Sequence, residues 1–323
     1  MFQVGQLNQY AERCFYVIGG GTAAGLGFSD WVPWTRPKDA RFVNFALIGA
    51  GGGGGAGTGN VPASTRAGGG GGGSGAMSSA LYAARSLPAT VWLNLTVGGA
   101  GGITNFGVGS GGGNSTGQLA GIASLISSTA NTTTPVCIIL QANGGAGANG
   151  ATGGVAGAAT TTSAMGYIGR AIAFNSISGG AGLTQNNSAT ALTTALPVSG
   201  GGGGAGTSTS SVFNAGDIRS GDLSIQGGSP VASSALVTGG RSATPVSGAN
   251  GWDTLQHIQP YGGNAPWFSL GGAGGASSDA GQGGNGGNAG LGSGGGGGGA
   301  GGSSILFGNG GNGGAAFCLI EWW

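Results

Sequence analysis

Only one histidine occurs in the 323 residues, His257, and Asp253 stands four positions before it. Serines are abundant, so the inventory for a Ser/His/Asp hydrolytic triad is present. That chemistry needs three roles in one geometry, however, and nothing selects a particular serine, since no Gly-x-Ser-x-Gly stands in a nucleophile-elbow context. A loop or surface histidine is the better reading. The segment around it, SGANGWDTLQHIQPYGGNAPWFSLGG (247–272), gathers Trp252, His257, Tyr261, Trp267 and Phe268 among Asn and Gln. Flat rings cover apolar faces while amides meet hydroxyls or backbone, which suits a sugar- or protein-binding surface. The same rings also suit a packed cap over neighbouring structure, because large exposed aromatics without a partner are disfavoured.

The other groups that carry chemistry are sparse. Carboxylates are dispersed, and Asp217 and Asp222, the close pair beyond the N-terminal region, flank Arg219 as in a charge-balanced turn, not as an acid/base dyad or metal site. Cys14, Cys137 and Cys318 are odd in number and widely spaced, which gives neither a metal pattern nor a disulfide framework and suits buried thiols in strands. Gly-x-Gly-x-x-Gly has no specificity in a chain with 84 glycines, and no GKS or GKT follows a glycine loop. The expectation is therefore a protein with no cofactor, no metal and no catalytic site.

Formal net charge is +1, with eight Arg and one Lys scattered along the chain, so no basic stripe exists to attract nucleic acid or a membrane surface. No run of 18 apolar residues predicts a membrane span. The start, MFQVGQLNQYAERCFYVIGGG, places Glu12 and Arg13 before a short broken apolar run, a poor secretory signal, and the expectation is assembly in a cytoplasm.

The elements that position these residues are written in glycine. Residues 271–292, GGAGGASSDAGQGGNGGNAGLG, read in threes, put Ala273, Ala276, Asp279, Gln282, Asn285, Asn288 and Leu291 in one register, with Gly, Ala or Ser elsewhere. A second register runs through Asn143, Ala146, Asn149, Thr152 and Val155, and GNGGNGG places Asn309 and Asn312 three apart. An extended helix of three residues per turn rises about 3.1 Å per residue and has no internal hydrogen bonds, so its peptide groups must find partners on neighbours. Near-absent side chains let those neighbours close in. The pattern predicts a lattice of parallel-running polyglycine II-type helices with the third residues pointing out. Collagen wants Gly at every third position with Pro-rich partners, whereas two positions in three are small here and the registers contain no Pro.

Gly and Pro make up nearly three residues in ten, in the range of low-complexity chains, but hydrophobic residues at 39% and charged residues at 5% oppose disorder. Strands alternate with the glycine runs: Val43, Phe45 and Leu47 at period two, Val91, Leu93, Leu95 and Val97 again at period two, then VCIIL and the terminal AAFCLIEWW. Strands are expected near 42–48, 91–97, 136–141 and 316–323, and glycine helices near 50–60, 98–103, 143–157, 199–206, 271–300 and 308–314. Residues 76–88 read as extended. The fold class is all-β, a β-sheet core combined with a packed bundle of polyglycine II-type helices, over 31–323. Residues 1–30 form either a first strand on that domain or a docking arm, and the arm is the assignment adopted.

WTRPKDARFVNFALIGAGGGGGAG, LPATVWLNLTVGGAGG, the glycine block from Gly271 and the ending GNGGNGGAAFCLIEWW together resemble the glycine-rich domain of bacteriophage tail-fibre and related virion proteins. The chain is also similar to the polyglycine-sandwich tip adhesins of T-even-like phages, although no coiled-coil or triple-β shaft precedes the domain. The resemblance implies a non-enzymatic virion protein: a tail-fibre tip whose loops contact a bacterial surface receptor, protein or glycan. It implies docking to other virion proteins through residues 1–30, and either a trimer by analogy with fibres or a monomer seated on a trimer. Trp252, His257, Tyr261, Trp267 and Phe268 are the receptor-binding candidates. A capsid-decoration or baseplate protein without a receptor role is the alternative.

Overall fold

The computed structural model describes residues 12–17, 31–103, 124–127, 138–148, 168, 172–175, 177–182, 190–191, 198–208, 211–219, 235–240 and 269–323. Among these residues the fold is all-β, with one single-turn 3-10 helix at Ala84–Ser86. The strands are β1 (Glu12–Val17), β2 (Trp31–Thr35), β3 (Phe42–Ile48), β4 (Met77–Ala83), β5 (Thr90–Asn94), β6 (Ser124–Ser127), β7 (Ile138–Ala142) and β8 (Ile172–Phe174). The remainder are β9 (Thr190–Ala191), β10 (Thr207–Ser208), β11 (Ser211–Val212), β12 (Ile218–Arg219), β13 (Ala235–Val237) and β14 (Phe317–Trp322).

Two sheets face each other at one end of the molecule. One has the order β1-β14-β3-β4-β8 and the other β2-β5-β6-β7. Period-two alternation puts Val43, Phe45 and Leu47 of β3, Tyr82 of β4 and Ile320 of β14 into the gap, where they meet Trp34, Val91, Leu93 and Leu140 of the second sheet. Trp34 packs edge-on to Phe45 with centroids 5.6 Å apart, and Phe45 meets Tyr82 at 5.8 Å. The Tyr82 hydroxyl donates to the Ile139 carbonyl at 2.9 Å, so the one polar atom that the ring carries inward is satisfied. Cys318 is a buried free thiol, as its apolar strand context suggests. Residues 76–88 are extended through β4 before the 3-10 turn, as expected. Of residues 1–30, the described part, β1, pairs antiparallel with β14 from Glu12↔Trp322 to Val17↔Phe317, the arrangement of a first strand on the main domain.

The strands run directly into glycine segments. Ile48 of β3 is followed by 49–58, Ala142 of β7 by 143–148, and segments 67–76 and 306–316 return into β4 and β14. Adjacent segments exchange backbone hydrogen bonds at every third residue. Gly49, Gly52, Gly55 and Thr58 donate to Ala76, Gly73, Gly70 and Ala67, a ladder with one bond per three residues. The three peptide groups of each repeat thus serve three directions. Segment 292–301 shows this in full. Its amides donate to 199–205 (from Gly294, Gly297 and Ala300), to 52–58 (from Gly295, Gly298 and Gly301) and to 284–287 (from Gly296 and Gly299). Its carbonyls accept from 69–75, 272–278 and 308–314. That makes six neighbours around one segment, three receiving its donors and three supplying them.

No room for side chains exists at that centre. A Cβ on any of Gly294 to Gly299 would lie closer than 3.0 Å to a backbone oxygen of another segment. One of the two six-glycine runs of the chain, 294–299, forms the middle of this surrounded segment. Where a segment reaches the surface the third residue turns outward: Gln282, Asn285, Asn288, Asn309 and Asn312 are exposed, whereas Ala273 and Ala276 of the same register are buried.

Three expectations are corrected. Neighbouring segments are not all parallel: 292–301 runs parallel to 49–58 and 272–278 but antiparallel to 67–76 and 306–316. A three-residue period satisfies neighbours of either sense, and short turns between successive segments produce antiparallel pairs. The register from Ala273 to Leu291 is two arms, because a reversal at 279–281 folds 284–290 back on 270–276, with Gly284, Gly287 and Gly290 donating to Ala276, Ala273 and Leu270. Segments 67–76 and 177–182, absent from the expected set, join the bundle: Gly71 donates to Gly180 and Ser74 to Ile177.

Candidate functional site

Because 49–58, 143–148, 177–182, 198–207, 269–278 and 292–301 all leave the sheet end and run the same way, their far ends converge. At that far end the chain reverses at 59–66, 279–281 and 302–306, and the β10–β11 pair lies beside them. Gly59 bridges Gly301, and Thr207 exchanges backbone bonds with Arg66 at 2.8 and 3.0 Å, which ties the reversals together.

Arg66 is the hub of this end. Its side chain is 1% exposed and that of Asp279 is 28% exposed, and Nη2 donates to Asp279 Oδ1 at 2.5 Å. Nε donates to Thr207 Oγ1 at 2.9 Å; Nη1 donates to the carbonyls of Asn60 at 3.3 Å and Asp279 at 3.2 Å, and also to that of Gly301. These carbonyls lie where the segments end, and that of Gly301 has besides, among the described residues, only a long bond from the Asn60 N–H, at 3.4 Å. A planar fork with five donors satisfies several of them at once, which an ammonium could not do in this geometry. Asp279 Oδ1 also accepts from the N–H of Ala63, a residue in the left-handed region at φ 60°. One ion pair thus fixes the 59–66 turn against the 279–281 turn.

Outward from the hub stand isolated aliphatic side chains. Val61 is 65% exposed and Ile305 81% exposed, each on a turn fixed from behind; Ile103, 72% exposed, follows Gly102, whose N–H donates to Gly54 midway along the bundle. Local bonds stiffen the first turn: Asn60 Oδ1 accepts from the Val61 N–H at 2.8 Å, and Ser64 Oγ donates to the Val61 carbonyl at 2.6 Å. At the opposite end Phe42 and Trp323 lie ring to ring at 6.0 Å, both partly exposed.

Trp252, His257, Tyr261, Trp267 and Phe268, with Asp253, lie outside the described residues, as do Cys137 and Asp222. Ser269, which follows Phe268, is buried and bridges Val198 at the sheet end of the bundle. Asp217 is buried and accepts the Gly239 N–H at 2.8 Å, a structural use of that carboxylate. Among the described residues no group of three His, Cys, Asp or Glu could hold a metal ion, and no helix is long and apolar enough to cross a membrane. Arg66 and the aliphatic turns carried no motif. Their one signal was a lone arginine inside a glycine-rich run in a chain that is almost free of charge. The chain matches no family model and no curated protein.

Proposed function

We propose that the protein is a non-enzymatic bacteriophage virion component, a tail-fibre tip or host-receptor-binding adhesin. In it, a bundle of polyglycine II-type helices holds the far-end turns rigidly away from a β-sheet base. The observation that carries the proposal is the six-neighbour segment 292–301 together with the Arg66 hub, because a backbone lattice whose centre has no room for side chains at 294–299 makes a stiff rod with fixed loops. At about 3.1 Å of rise per residue, ten-residue segments set those loops roughly 30 Å from the sheet. A hydrogen bond at every third residue, with donors fanned in three directions, is what helices of three residues per turn require. Rigid presentation lowers the ordering cost of binding, and variable turns on a fixed scaffold are where recognition residues concentrate. The N-terminal strand β1 sits in the sheet, so attachment to other virion proteins through residues 1–30 leaves the far end free.

Purified protein is expected to bind intact cells of particular bacterial strains in a panel and to slow adsorption of the phage that carries it. Val61→Asn with Ile305→Asn, which leaves the bundle interior untouched, is expected to weaken cell binding by about tenfold or more. Alanine at Trp252, Tyr261 and Trp267, scored in the same assay, tests whether the aromatic segment shares the contact. Cell binding absent from every strain, or unchanged by all five substitutions, overturns the adhesin assignment.

A further inference from the structure

Segment 306–316 has, among the described residues, backbone neighbours on some sides only. Its Gly308, Gly311 and Gly314 amides donate to 293–299, and its Gly310 and Gly313 amides donate to Gly102 and Gly99. Among the described residues the third row, Asn309 and Asn312, meets no backbone carbonyl. Instead, Asn309 N–H donates to Asn285 Oδ1 and Asn312 N–H to Asn288 Oδ1, both at 2.9 Å. One step further round the face, Gly101 N–H donates to Asn312 Oδ1, again at 2.9 Å. In the surrounded segment 292–301 all three rows reach backbone carbonyls, so on this face an amide oxygen stands where a further segment's carbonyl would stand.

We infer that Asn285, Asn288 and Asn312 close this face of the bundle against a glycine-rich segment from a second copy of the chain. A row of outward amides on a bare backbone is a template for pairing, as an open strand edge is in a sheet. The danger is specific here, because every copy carries segments with the matching three-residue repeat. Asparagine blocks it twice: its oxygen occupies the donor, and its bulk holds off an incoming backbone. Alanine would do neither, since Ala273, Ala276 and Ala300 are all accommodated inside the bundle with no exposure. Asparagine at these exposed third positions is thus a terminator of lateral growth, whereas alanine there would leave the face open to a further segment.

The test uses the full chain with Asn285→Ala, Asn288→Ala and Asn312→Ala together, compared with the corresponding triple Asp variant, which keeps the acceptor oxygens. Sedimentation velocity across a concentration series is expected to show self-association of the alanine variant about tenfold stronger than wild type, with the Asp variant unchanged. Hydrogen exchange on the single variant Asn288→Ala is expected to speed the Asn312 amide by about tenfold while the Gly311 amide stays protected. An alanine variant with the wild-type sedimentation profile overturns the inference. Should the triple variant fail to fold, unchanged exchange at Asn312 in the single variant overturns it equally.

Discussion

A methyl group added to Gly297 would press on the carbonyl oxygen of Gly69, with its carbonyl carbon at 2.6 Å and Gly204 N at 2.8 Å. All are backbone atoms held in place by their own bonds to other segments, so no flexible side chain can give way. Gly297→Ala is therefore expected to cost about 3 kcal/mol or more, at or beyond the upper end of ordinary overpacking, and to lower the urea midpoint sharply or abolish folding. Gly281→Ala is the control, because a Cβ there meets only the Ser278 Oγ, at 3.0 Å, and a change within about 0.5 kcal/mol is expected. Gly292 is a different case: its φ of +69° makes the tight turn into the central segment, and a side chain there would also meet Ile48 Cγ2 at 2.6 Å. At this scale much was legible in the sequence. The six-glycine run at 294–299 announces a position without space, and asparagine at third positions announces the surface. The buried alanines of the same register could not be told from exposed ones, since a methyl fits both settings.

Turns decide what the glycine segments become. Serine at 277 and 278 followed by Asp279 supplies the reversal, with Ser278 Oγ accepting the Gly281 N–H at 2.9 Å. The three-residue register passes through this turn unbroken, so counting in threes saw one long helix where the chain makes two antiparallel arms. Arg66 was illegible for another reason: its carboxylate partner lies 213 residues away, and only the convergence of segment ends brings the two together. Arg66→Met would take the guanidinium from the carbonyls of Asn60 and Gly301 and from the Asp279 carboxylate, leaving Gly301 the Asn60 N–H at 3.4 Å and Asp279 Oδ1 the Ala63 N–H as their remaining backbone donors. A loss of about 3 kcal/mol is expected in denaturant unfolding, with faster exchange confined at first to the 59–66 and 302–306 turns. Asp279→Asn keeps an Oδ1 acceptor for the Ala63 N–H and an oxygen for the guanidinium. Its cost is expected to stay near 1 kcal/mol, because the Asp279 side chain is partly in water.

The order in which the chain is made conflicts with the order in which the structure is nested. Strand β14 lies between β1 and β3, pairing with strands roughly 300 and 275 positions earlier, and segment 292–301 is the surrounded member of the bundle. Both lie within residues 292–323, so the place between β1 and β3 in the larger sheet and the surrounded place in the lattice are filled by chain that is made after both those strands and after every lattice neighbour but 308–314. Glycine loses more backbone freedom on folding than any other residue, and each outer segment alone has too few partners to offset that loss. The sheet and the bundle should then order together, as one cooperative unit. A chain ending at Leu291 is expected to lack the dispersed amide spectrum and the cooperative melt of the full protein. Refolding of the full chain should be slow, because pairings so distant in sequence carry the closure entropy of almost the entire chain. Pulse-labelling hydrogen exchange during refolding separates the two cases. Strand amides of β3 and glycine amides of 49–58 gaining protection with one rate constant would support a single nested unit. A sheet protected well before the glycine segments would show that the sandwich folds alone and the lattice is added to it.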